Sequence, residues 1–113
     1  MSFQQAIDAV DVTIESSGTT SSAANVYGKG NVVAVETPSS LTGTSFTFEA
    51  STDGSTYVPV YNEGTQYSVT VGTSRYVALD PAVFAGVKWV KVVSGSSEAA
   101  SRTITIVTAG IVG

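Results

Sequence analysis

The chain contains no cysteine and no histidine. Without Cys there are no disulfides and no thiol nucleophile, so folding does not depend on an oxidising compartment. Without His the commonest general base is missing, and any metal would have to be held by carboxylates alone. Charge is also sparse: charged residues make up 12%, five Lys/Arg stand against nine Asp/Glu, and the formal net charge is -4. The basic residues Lys29, Arg75, Lys88, Lys91 and Arg102 are scattered, whereas tracking phosphates needs a concentrated positive field, so no nucleic-acid partner is expected. Long apolar runs are lacking too. Val87 to Val93 is interrupted by Lys88 and Lys91, far short of the about 20 residues that cross a bilayer, and no membrane partner is expected. Residues 1–8 have no basic stretch followed by an apolar one, so they do not read as a secretory signal, and synthesis in the cytoplasm is expected.

What is abundant is the chemistry of strands. Hydrophobic residues make up 42% of 113 residues, and Ser and Thr supply roughly a quarter, a profile unlike a charged disordered tail or a helical bundle. Apolar and polar residues alternate in short runs separated by Gly, Ser, Asn and Asp. In the first run Val10, Val12 and Ile14 point one way and Asp11, Thr13 and Glu15 the other. Further runs are Asn31 to Thr37, Ser45 to Ala50 with Phe46 and Phe48 on one face, Tyr57 to Tyr61, Gln66 to Val71, Arg75 to Leu79, Val87 to Val93 and Arg102 to Val107. Asp53-Gly54 supplies the positive φ of a tight hairpin turn, and Pro59 places its strand at an edge or a bulge. Val87 to Val93 is apolar on both faces and reads as central, with Trp89 partly exposed. Asp80-Pro81 followed by Gly86 favours one helical turn, with Phe84 plugging the core. The expected fold is therefore all-β: an antiparallel β-sandwich, jelly-roll-like, of about eight strands with at most one short helical turn.

The Ser/Thr/Gly-rich segment from Ser16 to Ala24 suggests a division into an N-terminal arm with a flexible segment, residues 1–26, and a β-sandwich domain, residues 27–113. The arm, with Phe3, Ile7, Val10, Val12 and Ile14, is too apolar for a free tail. It either pairs with a neighbour's sheet edge or is the first strand of its own sandwich, and the sequence leaves both open. The apolar Ile111 and Val112 and the sheet edges favour a homo-oligomer, a dimer or a trimer.

No chemistry-bearing motif stands out. Asp53-Gly54-Ser55 lacks the repeated acids of a calcium loop and reads as a turn, and Gly28-Lys29-Gly30 is not followed by the Gly-Lys-Ser/Thr run of a phosphate loop. The carboxylates fall on wet faces or in turns rather than pairing across a cleft. No catalytic residue, cofactor or metal ligand is assigned, and the chain is expected not to be an enzyme. Tyr57, Tyr61, Tyr67, Tyr76 and Trp89 offer rings on which a sugar could stack.

From Val32 to Val107 the order of motifs runs through Ala34-Val35-Glu36-Thr37-Pro38, Leu41-Thr42-Gly43-Thr44-Ser45-Phe46-Thr47-Phe48, Ser51-Thr52-Asp53-Gly54, Tyr76-Val77-Ala78-Leu79-Asp80-Pro81-Ala82-Val83-Phe84-Ala85-Gly86, Val90-Lys91, Ser94-Gly95 and Arg102-Thr103-Ile104-Thr105-Ile106. Over about two-thirds of the chain this resembles small tailed-bacteriophage virion accessory proteins of the capsid decoration, or cement, type. The Leu-Asp-Pro-x-x-Phe-Ala-Gly block carries most of the likeness and looks structural. The resemblance implies a head decoration protein on the capsid surface of the virion, bound to the major capsid protein and stabilising the mature shell. The contacts expected on this reading are Phe3, Ile7, Val12 and Ile14 of the arm, with Ile111 and Val112. The alternatives are a tail-fibre or baseplate module that binds a host glycan through the Tyr and Trp rings, or a tail or connector component.

Overall fold

A computed structural model describes residues 4–112, with side chains from 7 to 110. The strands are β1 (Gln4–Ile14), β2 (Ala24–Asn25), β3 (Asn31–Glu36), β4 (Ser45–Ser51), β5 (Val58–Pro59), β6 (Tyr61–Asn62), β7 (Thr65–Gln66), β8 (Val69–Thr70), β9 (Tyr76–Ala78), β10 (Trp89–Ser94) and β11 (Arg102–Val112), with one 3-10 turn at Pro81–Phe84. The first sheet has the order β1-β11-β3-β9 and the second β2-β10-β4-β5, all antiparallel. β8 pairs with the other end of β4, so β5 and β8 share one edge position and the β6-β7 hairpin is an excursion between them. Counting that position once gives eight, ordered 1-8-3-6 and 2-7-4-5, which is the topology of a jelly roll.

Alternation explains which faces meet. Val12 and Ile14 of β1, Val32 of β3, and Ile104 and Ile106 of β11 face Phe46 and Phe48 of β4 and Val90 and Val92 of β10, all at most 1% exposed. Burial of each such side chain is worth about 1.5–3 kcal/mol. β10 lies between β2 and β4, with Val90 and Val92 buried and Trp89, Lys91 and Val93 half-buried on its outer face. Pro59 falls in the two-residue edge strand β5, where no ladder donor is missed. Asp80 caps the 3-10 turn by accepting the Ala82 N–H (3.1 Å), Pro81 occupies its first position, and Gly86 follows with φ +83°. That turn delivers Phe84 edge-on to Phe48, ring centroids 5.2 Å apart, and to Tyr67 at 5.7 Å, with Phe48 and Tyr67 at 6.1 Å closing a triangle of rings.

The division expected at residue 26 does not coincide with a break in the structure. β1 pairs with β11 along its whole length, from Gln4↔Val112 to Ile14↔Arg102, and Val12 and Ile14 lie in the common core. The segment after β1 is stitched to β10: Ser21 N–H donates to Val92 O (2.8 Å) and Ser94 N–H to Thr19 O (2.8 Å). Val26 itself is buried. Of the two readings of the arm, the first strand of its own sandwich is the one observed, because a strand carrying Val10, Val12 and Ile14 on one face completes the inner layer of the first sheet.

Candidate functional site

β1 forms an edge, and its backbone orientation can be read from its last turn. Ser22 N–H donates to Thr13 O (3.0 Å) and Thr13 N–H donates to Ser22 Oγ (3.1 Å), so the polar groups of Thr13 face away from β11. Backbone groups alternate along a strand, so those of Gln5, Ile7, Ala9 and Asp11 face outward as well. Among the described residues no strand lies beyond them. The N–H of Ala9 is taken by the neighbouring Asp8 Oδ1 (2.8 Å), and the rest of this row is open to a partner.

The edge also extends past the sandwich. β3 accompanies β11 only as far as Ala109↔Asn31, so Gln4–Ala6 and Gly110–Val112 continue as a two-stranded ribbon. Gly30 fixes where the ribbon departs. Its φ is +86°, and a Cβ there would lie 2.1 Å from Ala109 O, so only glycine lets the chain turn into β3 against β11. Beside it, Lys29 Nζ lies 2.7 Å from Asp8 Oδ2, and this bond together with the Ala9 N–H holds the exposed Asp8 carboxyl below its usual value. Ile7, opposite Ala109 where the ribbon begins, is 68% exposed.

The opposite end of the sandwich is closed around Glu98. Its carboxylate accepts the N–H of Thr42 (2.8 Å) and Gly43 (2.9 Å), the Ser94 hydroxyl (2.8 Å) and Arg102 Nε (3.0 Å). Burial by itself would raise this carboxyl; the four donors outweigh it and lower the pKa to about 2. Every oxygen is engaged and the side chain has no exposure, so Glu98 ties loops together and offers nothing to a substrate. Among the described residues, no group of three or more carboxylates is placed to hold a metal ion.

The residues expected to form an interface separate sharply. Ile7 is exposed on β1 beside the start of the ribbon. Val12 and Ile14 are in the core and cannot meet a partner while the sandwich is intact, because their side of β1 is its inner face. Phe3 lies outside the described residues, as do the side chains of Ile111 and Val112, whose backbone completes β11. The rings do not form one platform either. Tyr67 is packed against Phe48 and Phe84, with its hydroxyl accepting the Asp80 N–H (3.0 Å), while Tyr61 and Tyr76 are exposed on the separate strands β6 and β9. Lys91 lies 4.2 Å from the Tyr57 ring centroid and Lys88 4.9 Å from that of Tyr27. The outward polar row of β1 was missed in the sequence because it belongs to the backbone, which has no residue signature.

No protein-family profile matches the chain. No curated protein matches it in sequence. Among solved structures it is similar to the SPBc2 prophage-derived protein YomS, at 18% identity and a TM-score of 0.54, over 92% of this chain and 95% of that one. A second likeness, to the Yersinia pseudotuberculosis-derived mitogen, has 14% identity and a TM-score of 0.32 over 91% of this chain and 83% of that one. The first agrees with the all-β sandwich.

Proposed function

We propose that this chain is a structural component of a tailed-phage virion, specifically a non-enzymatic head decoration protein that binds the major capsid protein on the outside of the mature shell. The observation that carries the reading is the sandwich shared with a prophage-derived protein along nearly the whole of both chains. The open edge of β1 supports it. An extended segment of a capsid subunit adds to that edge as a further strand, with backbone bonds supplying affinity and Ile7 the apolar contact. Each bound copy stabilises the mature shell by mass action, because it binds that state and not the dissociated one. Val12 and Ile14 serve this reading by anchoring the strand from behind. Copies also meet one another, as a dimer or trimer, away from the β1 edge: antiparallel pairing of two such edges about Asp8 or about Asp11 sets like charges directly opposite.

The test is the copy number per virion, measured by quantitative mass spectrometry against the major capsid protein. Equality with that protein, or a simple fraction of it, is expected. A handful of copies would overturn head decoration in favour of a fibre, baseplate or connector component, and absence from the particle would overturn the virion reading.

A further inference from the structure

At the ribbon end of the sandwich, between the loop that follows β4 and the turn that follows the 3-10 helix, lies a pocket of about 450 Å³, within the range of small-molecule sites. One wall is held rigidly. Ser51 Oγ donates to Asp53 Oδ1 (3.0 Å) and accepts the Gly54 N–H (2.8 Å), while Asp53 Oδ1 also accepts the N–H of Ser55 (2.8 Å) and Thr56 (2.9 Å). The Trp89 indole braces this loop from outside: a Cβ at Gly54 would stand 3.2 Å from the ring, and Gly54 has φ +79°. The other wall is Ala85 to Val87, where a Cβ at Gly86 would meet nothing within 4 Å. Val58 contributes an apolar surface that is 57% exposed although it sits in a strand.

The chemistry is divided. Ala85, Val87 and Val58 give an apolar surface, and the Thr52 and Thr56 hydroxyls stand beside the Asp53 carboxylate on the opposite side. Asp53 Oδ1 is saturated by three donors, whereas among the described residues nothing donates to Oδ2. The Thr56 and Ser55 amides, with the Ser51 hydroxyl, hold this carboxyl below its usual value, so it is an anion at neutral pH. No Lys or Arg lines the pocket to neutralise it. An acceptor-only carboxylate sharing a pocket with aliphatic side chains is complementary to a neutral ring with O–H donors along one edge and C–H groups on its face.

We infer that this pocket binds a pyranose, the terminal sugar of a glycan, with Asp53 Oδ2 accepting from ring hydroxyls and Val58 and Val87 covering the C–H face. The site uses none of the β1 edge residues and stands whether or not the chain belongs to a virion. Its apolar contact is aliphatic, in contrast to the stacking rings expected from the sequence.

The test is an amide chemical-shift titration of the full chain with the methyl glycosides of glucose, galactose, mannose and N-acetylglucosamine. At least one is expected to bind with a Kd on the order of millimolar and to move the amides of Asp53 to Thr56 and Ala85 to Val87. Val58→Trp, and independently Ala85→Trp, fill the pocket from exposed positions and are expected to weaken that binding by about tenfold or more, with the melting temperature retained. Asp53→Asn keeps an acceptor for the loop amides but loses the charge, and is expected to weaken binding about fivefold. The inference is overturned if none of the four sugars moves these amides, if Asp53→Asn binds equally well, or if n-butylamine moves them when the sugars do not, which makes the pocket a cation site.

Discussion

At one end of the sandwich the loops 16–22, 41–45 and 94–102 converge on a single buried carboxylate, whereas at the other end the strands run out into a ribbon beside an open pocket. At the Glu98 end the polar groups satisfy one another: Ser17 N–H donates to Glu98 O (2.7 Å), Glu98 N–H to Gly18 O (2.9 Å), and the side chain takes four more donors. At the ribbon end, among the described residues, the side-chain tie between β1 and the 26–30 loop is one exposed ion pair, and the Thr108 hydroxyl, fully buried at the bulge where β11 shifts register against β3, has no partner. The contrast teaches where each property resides. Polar groups are satisfied where backbone and side chains close on themselves, and backbone edges and surface stay open where they do not.

Removing Glu98 should break this contrast most severely. Glu98→Ala leaves Arg102, Ser94 and two backbone N–H groups facing a void, and breaking a buried pair of this kind costs roughly 3–5 kcal/mol. For a domain of this size the melting temperature should fall by at least about 10 °C, measured by circular dichroism. The pH dependence carries the same signature. The folded carboxyl titrates at about 2 and the ordinary value is 4.5, so its contribution is complete above pH 4.5 and is lost as pH falls toward 2. Urea midpoints taken through that window should fall for the native chain and much less for Glu98→Gln. Equal slopes would show that the network does not depend on the charge.

The ends differed as much in how readable they were. The layers were visible because alternation places Val12, Ile14, Phe46, Phe48, Ile104 and Ile106 inward without reference to long-range contacts. The Asp80-to-Gly86 turn was visible because each of its residues has one strong local preference. Glu98 was hidden in what reads as a polar loop from Ser94 to Ser101, since two of its donors are backbone groups at Thr42 and Gly43, more than fifty residues away. Its spacing of four from Arg102 was the one local trace. The contacts of segment 16–24 were hidden for a related reason: a stretch of Ser and Thr reads as a flexible loop, and no local pattern announces that Ser21 Oγ accepts the Val92 N–H (2.9 Å) and Ser22 Oγ that of Thr13. The pocket was invisible because it depends on Ala85 to Val87 lying opposite Asp53, a juxtaposition that only the sheet register creates.

A smaller change should sharpen the comparison from the open end. Thr108→Val removes the orphaned hydroxyl while nearly keeping the shape of the side chain, so a buried polar atom without a partner is replaced by one that needs none. Stabilisation by about 1 kcal/mol is expected in urea unfolding. Destabilisation would mean that the hydroxyl has a partner in solution, and the ribbon end would then be better satisfied than its geometry indicates.

The smallest effect on stability is expected at Lys29 and Asp8, and there stability and association should part company. Their side chains are 35% and 52% exposed, so the 2.7 Å pair is screened by water, and Lys29→Ala should barely move the melting temperature, less still in high salt. Asp8→Ala should cost equally little in folding but acts on the edge in two ways. It frees the Ala9 N–H that Asp8 Oδ1 now occupies, and it removes one of the two carboxylates that oppose pairing between copies. Sedimentation velocity should therefore find Asp8→Ala more associated than Lys29→Ala at the same concentration, although both break the same ion pair. If the two variants sediment alike, the acidic residues of β1 do not guard its edge, and the open end owes its freedom to the ribbon's geometry alone.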